Sequence, residues 1–156
     1  MVTPTETLVV DASVATKWYL TDEADAELAL RLLTSFGRGA LALVAPQQIR
    51  SEVPSAITVA TRTILRGQQH PRQTVAQGAR AIADFLALDL PTVDDNELVM
   101  AAYEVAQQYG CAFYDGLYLA LAQRLGVRFI LADQRFYALI RQLPFVVWLG
   151  DYDAAA

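Results

Sequence analysis

The chain is predicted to be an α/β protein, a three-layer α/β/α sandwich around a central, mostly parallel sheet. Three observations carry that prediction. Short apolar runs at 7–11, 41–44, 127–132 and 145–149 alternate with longer stretches of helical periodicity. Such alternation demands parallel pairing through right-handed crossovers. Two of the runs, Leu8-Val9-Val10 and Phe129-Ile130-Leu131-Ala132, stop directly on an aspartate, Asp11 and Asp133, that opens a helix. In open parallel sheets the carboxyl ends of strands are where ligands bind.

Taken in order, 7–11 reads as a buried strand because it is short, apolar and β-branched. A short helix over 12–20 turns Val14 and Trp18 inward. The next helix, 23–36, places Leu28, Leu32 and Leu33 on one face and is ended by Gly37 and Gly39. A second strand at 41–44 is closed by Pro46. Residues 47–65 are helical, but Pro54 predicts a kink or two abutting helices. A loop at 67–71 leads to a helix over 72–88, and Pro91 makes the strand at 90–93 an edge strand. Asp94 and Asp95 cap a helix over 96–108, which Gly110 ends. A helix over 114–125, capped by Gly126, precedes the strand that delivers Asp133. A helix over 134–142 and a last strand over 145–149 follow.

The 156 residues and 17.1 kDa suit one domain, 1–156, with a core over about 7–149 and a loose tail over 150–156. A hydrophobic content of 54% and mean hydropathy of +0.27 predict apolar surface left for a partner or a second copy. No apolar run approaches the roughly 18 residues of a membrane span. The opening Met1-Val2-Thr3-Pro4-Thr5-Glu6 lacks the basic flank of a signal peptide, so a cytoplasmic protein is expected. The net charge of −5 and pI near 4.7 argue against a module that binds nucleic acid through a broad basic face. They argue less against a metal-dependent nuclease, whose acids gather at the metal. Cys111, the one cysteine, lies among apolar residues and reads as a structural thiol; His70, the one histidine, has no second His or Cys for a zinc site. Neither a Gly-x-Gly-x-x-Gly nor a Walker sequence is present, which excludes the common nucleotide loops.

The candidate chemistry therefore rests on carboxylates. Hard divalent cations take oxygen ligands, and clustered carboxylates repel one another until a cation neutralises them. Asp11 and Asp133 also read as ordinary helix N-caps, and Asp115 as a first-turn acid favoured by the helix dipole, although its neighbours are almost all apolar. Glu52 alone reads as a solvated helix charge.

Four motifs occur in order over residues 7–149: Val9-Val10-Asp11-Ala12-Ser13-Val14 followed by Lys17-Trp18; Ser51-Glu52-Val53 with Ala56; Tyr114-Asp115-Gly116-Leu117-Tyr118-Leu119-Ala120-Leu121-Ala122; and Leu131-Ala132-Asp133 with Phe136. Together they resemble the PIN-domain nucleases, and within them the VapC-type ribonuclease toxins of bacterial toxin–antitoxin pairs. The resemblance implies that Asp11, Glu52, Asp115 and Asp133 surround one or two Mg²⁺ or Mn²⁺ ions and that RNA phosphodiester bonds are hydrolysed. Asp11 and Asp115 would be the main ligands. Glu52 would orient or deprotonate the attacking water, Asp133 would reach the metal directly or through water, and Ser13 would hold a metal-bound water or cap the helix. The implied partners are RNA, a cognate antitoxin that covers the acids, and a second copy in a homodimer.

The chain departs from the pattern at Leu131, where the family commonly has Thr or Ser, and at Pro54 beside Glu52. Two other readings stay open: a PIN-like scaffold without catalysis, for which Leu131 speaks, and another metal-dependent phosphohydrolase. The second lacks the Asp two places after the first that aspartyl-phosphate enzymes use. Arg50, Arg62, Arg66 and Arg135 are the candidates for RNA-backbone contact, although each also reads as a surface charge worth under about 1 kcal/mol. The aromatics read mostly as core or interface residues, with Tyr19 or Tyr137 available to stack on a base.

Overall fold

The structure, a computed structural model, describes residues 3–153. Five strands form one sheet: β1 (Glu6–Val10), β2 (Leu41–Pro46), β3 (Thr92–Val93), β4 (Arg128–Leu131) and β5 (Val146–Trp148). Their order is β3-β2-β1-β4-β5, and every pair is parallel. The central strand has neighbours on both sides and helices on both faces, so Leu8, Val9 and Val10 are all 0% exposed although they point alternately up and down. The chain moves outward on one side of β1 through β2 and β3, then returns to build β4 and β5 on the other. The order therefore reverses between β1 and β4, the crevice where open α/β sheets bind ligands.

Seven helices connect the strands: α1 (Ala12–Ala15), α2 (Ala26–Gly37), α3 (Ile49–Arg62), α4 (Val75–Ala87), α5 (Val99–Tyr109), α6 (Phe113–Leu125) and α7 (Gln134–Ile140). The expected first helix is shorter, because α1 tightens into a 3₁₀ turn over Thr16–Trp18. The helix expected from 96 begins instead as a 3₁₀ turn, Asp95–Glu97, capped by Asp94, whose side chain accepts from Asn96 N–H.

Pro54 does not divide α3 into two helices, since α3 runs from Ile49 to Arg62 without a break. Val53, Ile57 and Ala60 form a buried stripe that holds the helix against its neighbours despite the missing N–H. The Thr58 hydroxyl also donates to the Pro54 carbonyl at 2.7 Å.

Helix α6 lies across β1, β2 and β4 and packs on α5. Gly116 makes that approach possible, since a Cβ there would fall 2.6 Å from the Ala102 carbonyl oxygen. The first turn of α6, with Asp115, is thereby drawn in toward the strand ends.

The chain end is more ordered than expected. Leu149–Asp151 forms a 3₁₀ turn, and the Tyr152 hydroxyl donates to Glu6 at 3.1 Å beneath the Arg128 guanidinium. Burial of apolar surface and this polar clasp hold residues 150–152, where a loose tail was expected. The remainder of that tail, 154–156, lies outside the described residues.

Candidate active site

Asp11 follows β1 directly and caps α1, its Oδ2 accepting from the Ser13 N–H at 3.0 Å. Asp133 follows β4 and caps α7, its Oδ1 accepting from the Phe136 N–H at 2.9 Å. Both residues thus do the capping their local sequence called for. The two junctions are tied together as well: the Asp11 N–H donates to the Ile130 carbonyl at 3.0 Å, and the Ala132 N–H donates to the Ser13 hydroxyl at 2.8 Å. Ser13 therefore orders both strand ends. Glu52 and Asp115 enter from the first turns of α3 and α6, each half-buried.

Electrostatics connect these carboxyls. Asp11 is 6% exposed. Burial pushes it up to about 6, the hydroxyl and N–H of Ser13 pull it back, and the charges of Asp115 and Asp133 raise it again. Burial, followed by the charges of Asp11, Asp115 and Asp95, pushes Glu52 up to about 8. Asp115 is raised to about 6, by burial first and by Asp133 second. Glu52 Oε1 is buried with no hydrogen-bond partner among the described residues. Below the acids, the Tyr118 hydroxyl is buried and equally without a partner, raised first by desolvation and then by Asp11, Glu52 and Asp95. Its ring stacks on Phe129, which packs on Phe136, so the floor of the site is aromatic and apolar.

Two residues of this neighbourhood were not expected. Asp95 was read only as a cap, yet it lines a cavity of about 490 Å³ with Gln48, Ser51, Glu52, Ser55 and Tyr114, and accepts from the Gln48 N–H at 3.2 Å. The signal was there to find, since Asp95, like Asp11 and Asp133, follows an apolar strand. Tyr118 stands three residues after Asp115, the helical spacing that puts both on one face.

The arginines divide. Arg50 is exposed on α3, and its Nη2 donates to the Leu90 carbonyl at 3.4 Å. Arg62 lines a groove with Ser55, Thr58, Val59 and Thr63 that shares Ser55 with the Glu52 cavity. Arg66 is exposed in the connector after α3, and Arg135 is exposed two residues beyond Asp133. Tyr19 packs edge-on against Trp18 and Phe85, which withdraws it from base stacking. Cys111 is partly buried and its thiol is raised by burial and by Asp115, as suits a structural residue.

Among the described residues, no group of three or more His, Cys, Asp or Glu side chains is placed, as it stands, to hold a metal ion. The donor chemistry nonetheless fits a hard divalent cation. The donors are all carboxylate oxygens, Asp11, Glu52 and Asp115 are each raised by the charge of another acid, and one buried oxygen of Glu52 lacks a partner.

A sequence model of the PIN domain family matches residues 8–141. No curated protein matches the sequence. Among solved structures, the chain is similar to a toxin–antitoxin complex from Klebsiella pneumoniae, with 16% identity and a TM-score of 0.58 over 94% of this chain and 99% of that one. It is also similar to VapC20 of Mycobacterium tuberculosis, described as a sarcin-ricin loop cleaving toxin, with 18% identity and a TM-score of 0.57 over 84% of this chain and 93% of that one. At these identities the likeness is one of fold. No helix among the described residues is long and apolar enough to cross a membrane.

Proposed function

The chain belongs to the PIN domain family, and from that premise we propose that it is a Mg²⁺- or Mn²⁺-dependent endoribonuclease, the toxin of a toxin–antitoxin pair. The observation that carries this reading is the set of three acids at the carboxyl edge of the sheet, Asp11, Glu52 and Asp115, all with raised proton affinity. The structural likeness to a chain of a toxin–antitoxin complex and to a sarcin-ricin loop cleaving toxin supports it.

Asp11 and Asp115 would hold the cation, with Glu52 and Asp133 completing its surroundings. Such a cation, when bound, lowers the pKa of bound water and offsets charge on the phosphate. The rest falls to the chain itself. Glu52, pushed up to about 8 in the metal-free chain, would accept a proton from an attacking water once a bound cation had displaced its own. Ser13 fixes Asp11 through its N–H and the Asp133 strand end through its hydroxyl. Arg50, Arg62, Arg66 and Arg135 remain as RNA-backbone contacts. The proposal includes an antitoxin and a second copy as partners, for which exposed Met100 and Tyr103 on α5 and Phe113 and Tyr114 at the start of α6 offer apolar surface.

The purified protein should cleave RNA with Mn²⁺, and Asp11→Asn or Asp115→Asn should each lower the rate by at least about 100-fold. Cleavage that survives both substitutions would defeat the catalytic claim. The second reading is a PIN fold that binds without catalysing, and it is favoured by the absence of a ready ligand set among the described residues. Calorimetry separates the two, because only the enzyme should bind Mn²⁺ in a manner that these substitutions abolish.

A further inference from the structure

A second cavity, of about 310 Å³, adjoins the acids on the β5 side and is lined by Gln134, Tyr137, Trp148 and Asp151. The strand register sets its position. Leu131 pairs with Trp148, so the chain leaving β5 runs beside the chain leaving β4 at the same carboxyl edge that carries Asp11 and Asp133. Gln134 follows Asp133 directly, and the Tyr137 N–H donates to the Asp133 carbonyl at 2.9 Å. A polymer crossing the acids toward β5 meets this cavity next.

The lining is selective. Tyr137 and Trp148 form an aromatic wall, with ring centroids 5.2 Å apart and planes inclined at 46°. Trp18 donates its indole N–H to the Ala29 carbonyl, whereas the Trp148 indole N–H donates to none of the described residues. The indole nitrogen packs on Gly150, where a Cβ would fall 2.9 Å from it and 3.3 Å from Asp25 Oδ2. Asp151, when ionised, only accepts, while the Gln134 amide both donates and accepts.

A ligand that satisfies all four is flat, offers adjacent N–H donors to a carboxylate, and presents acceptors to the indole and the amide. Guanine does so, with N1–H and the N2 amino group side by side and O6 and N7 as acceptors. Adenine and cytosine bring one amino group, and uracil one ring N–H. A guanidinium would suit the carboxylate and the aromatic faces but has no acceptor for the indole N–H.

We propose that this cavity binds an unpaired guanine base of the substrate strand, with Asp151 reading its N1–H and N2 edge and Trp148 and Tyr137 stacking on it. The assignment rests on the ribonuclease reading, which supplies the strand, but it is testable without catalysis. The chain has two tryptophans, so its indole N–H resonances can be assigned with Trp148→Phe. In the metal-free protein, GMP should move the Trp148 signal at concentrations about tenfold lower than AMP, CMP or UMP, and Asp151→Asn should remove that preference. An equal response to all four nucleotides, or no response, overturns the assignment. So does a response to arginine amide in place of GMP, which would mark a site for a basic side chain of a protein partner.

Cleavage gives a second arm. An RNA whose guanine is replaced by inosine, which lacks the N2 amino group, should be cut about tenfold more slowly by the native protein and equally by Asp151→Asn. If no RNA is cut yet GMP still binds with Asp151 dependence, the ribonuclease reading fails and the base site stands. If RNA is cut without regard to inosine and GMP is not distinguished, the base site fails and the ribonuclease reading stands.

Discussion

The junctions after β1 and β4 are alike in sequence and different in physics. Each is an apolar strand ending on an aspartate that caps the following helix, and each cap is made by one carboxylate oxygen at about the same length, 3.0 Å at Asp11 and 2.9 Å at Asp133. Yet Asp11 is 6% exposed, while Asp133 lies open on the surface. The difference comes from what lies around each strand end. Strand β1 lies between β2 and β4, and α1 packs against α2 and α3, whereas the β4 junction has the short β5 on its outer side. Local sequence sets the cap, and tertiary packing decides whether the acid is desolvated.

That contrast is most easily broken by comparing the two substitutions directly. If burial marks the ligand that matters most, Asp11→Asn should lower RNA cleavage by at least about 100-fold and Asp133→Asn by about tenfold, with folding unchanged by circular dichroism. Equal losses would show that exposure is no guide to the role of a strand-end acid here. A larger loss at Asp133 would reverse the order of importance of the two.

Ser13 offers a smaller and sharper test, since it is the residue that serves both junctions. Ser13→Ala keeps the N–H that Asp11 uses but removes the hydroxyl, which accepts from Ala132 N–H and also lowers the proton affinity of Asp11. Leaving that part-buried donor without its acceptor should cost about 1–3 kcal/mol by urea unfolding. Activity should fall about 10-fold, as when the support of a ligand is removed. Ser13→Thr should recover most of both. Full activity in Ser13→Ala would separate the two junctions functionally.

How much of this was legible beforehand follows the same division between local and tertiary causes. The strands at Leu8-Val9-Val10 and Phe129-Ile130-Leu131 were readable because burial on both faces forces continuous apolar runs, and the helix ends at Gly110 and Gly126 because both glycines adopt positive φ, 69° and 65°. The length of α1 was not, since its tightening after Ala15 depends on where Trp18 must reach to donate to Ala29. The partner of Arg50 was not legible either, because nothing near it in sequence announces the Leu90 carbonyl forty residues on. Pro54 sits inside one continuous helix because the buried stripe outweighs its low intrinsic propensity. Glu52 could not be raised above an ordinary surface charge from its own neighbours. Its buried Oε1 and its coupling to Asp11, Asp115 and Asp95 exist only once three elements meet.

The smallest expected effect concerns stability and tests the desolvation argument without any catalysis. In the metal-free protein Asp11, Glu52 and Asp115 have native pKa values of about 6, 8 and 6, whereas carboxyls in the unfolded chain titrate near 4. Between about pH 4 and pH 8 the native state therefore holds more protons than the unfolded state. The associated stability is fully present below the lower limit and is lost as pH rises through the native values. Glu6 and Asp22 are lowered by Arg128 and Arg72 and work in the opposite sense, but below that window. The melting temperature in chelator should consequently fall by several degrees from pH 5 to pH 8, at about 2–4 °C per kcal/mol for a chain of this size. Asp11→Asn and Glu52→Gln should each flatten the fall. Asp133→Asn should change it less, because the Asp133 charge is the last of the causes that raise Asp11 and stands second to burial in raising Asp115. Mn²⁺ should raise the melting temperature most at pH 8, where it competes with the fewest protons. A melting temperature that climbs with pH in chelator would mean that the buried acids do not oppose folding, and the contrast between the two junctions would then lose its physical basis.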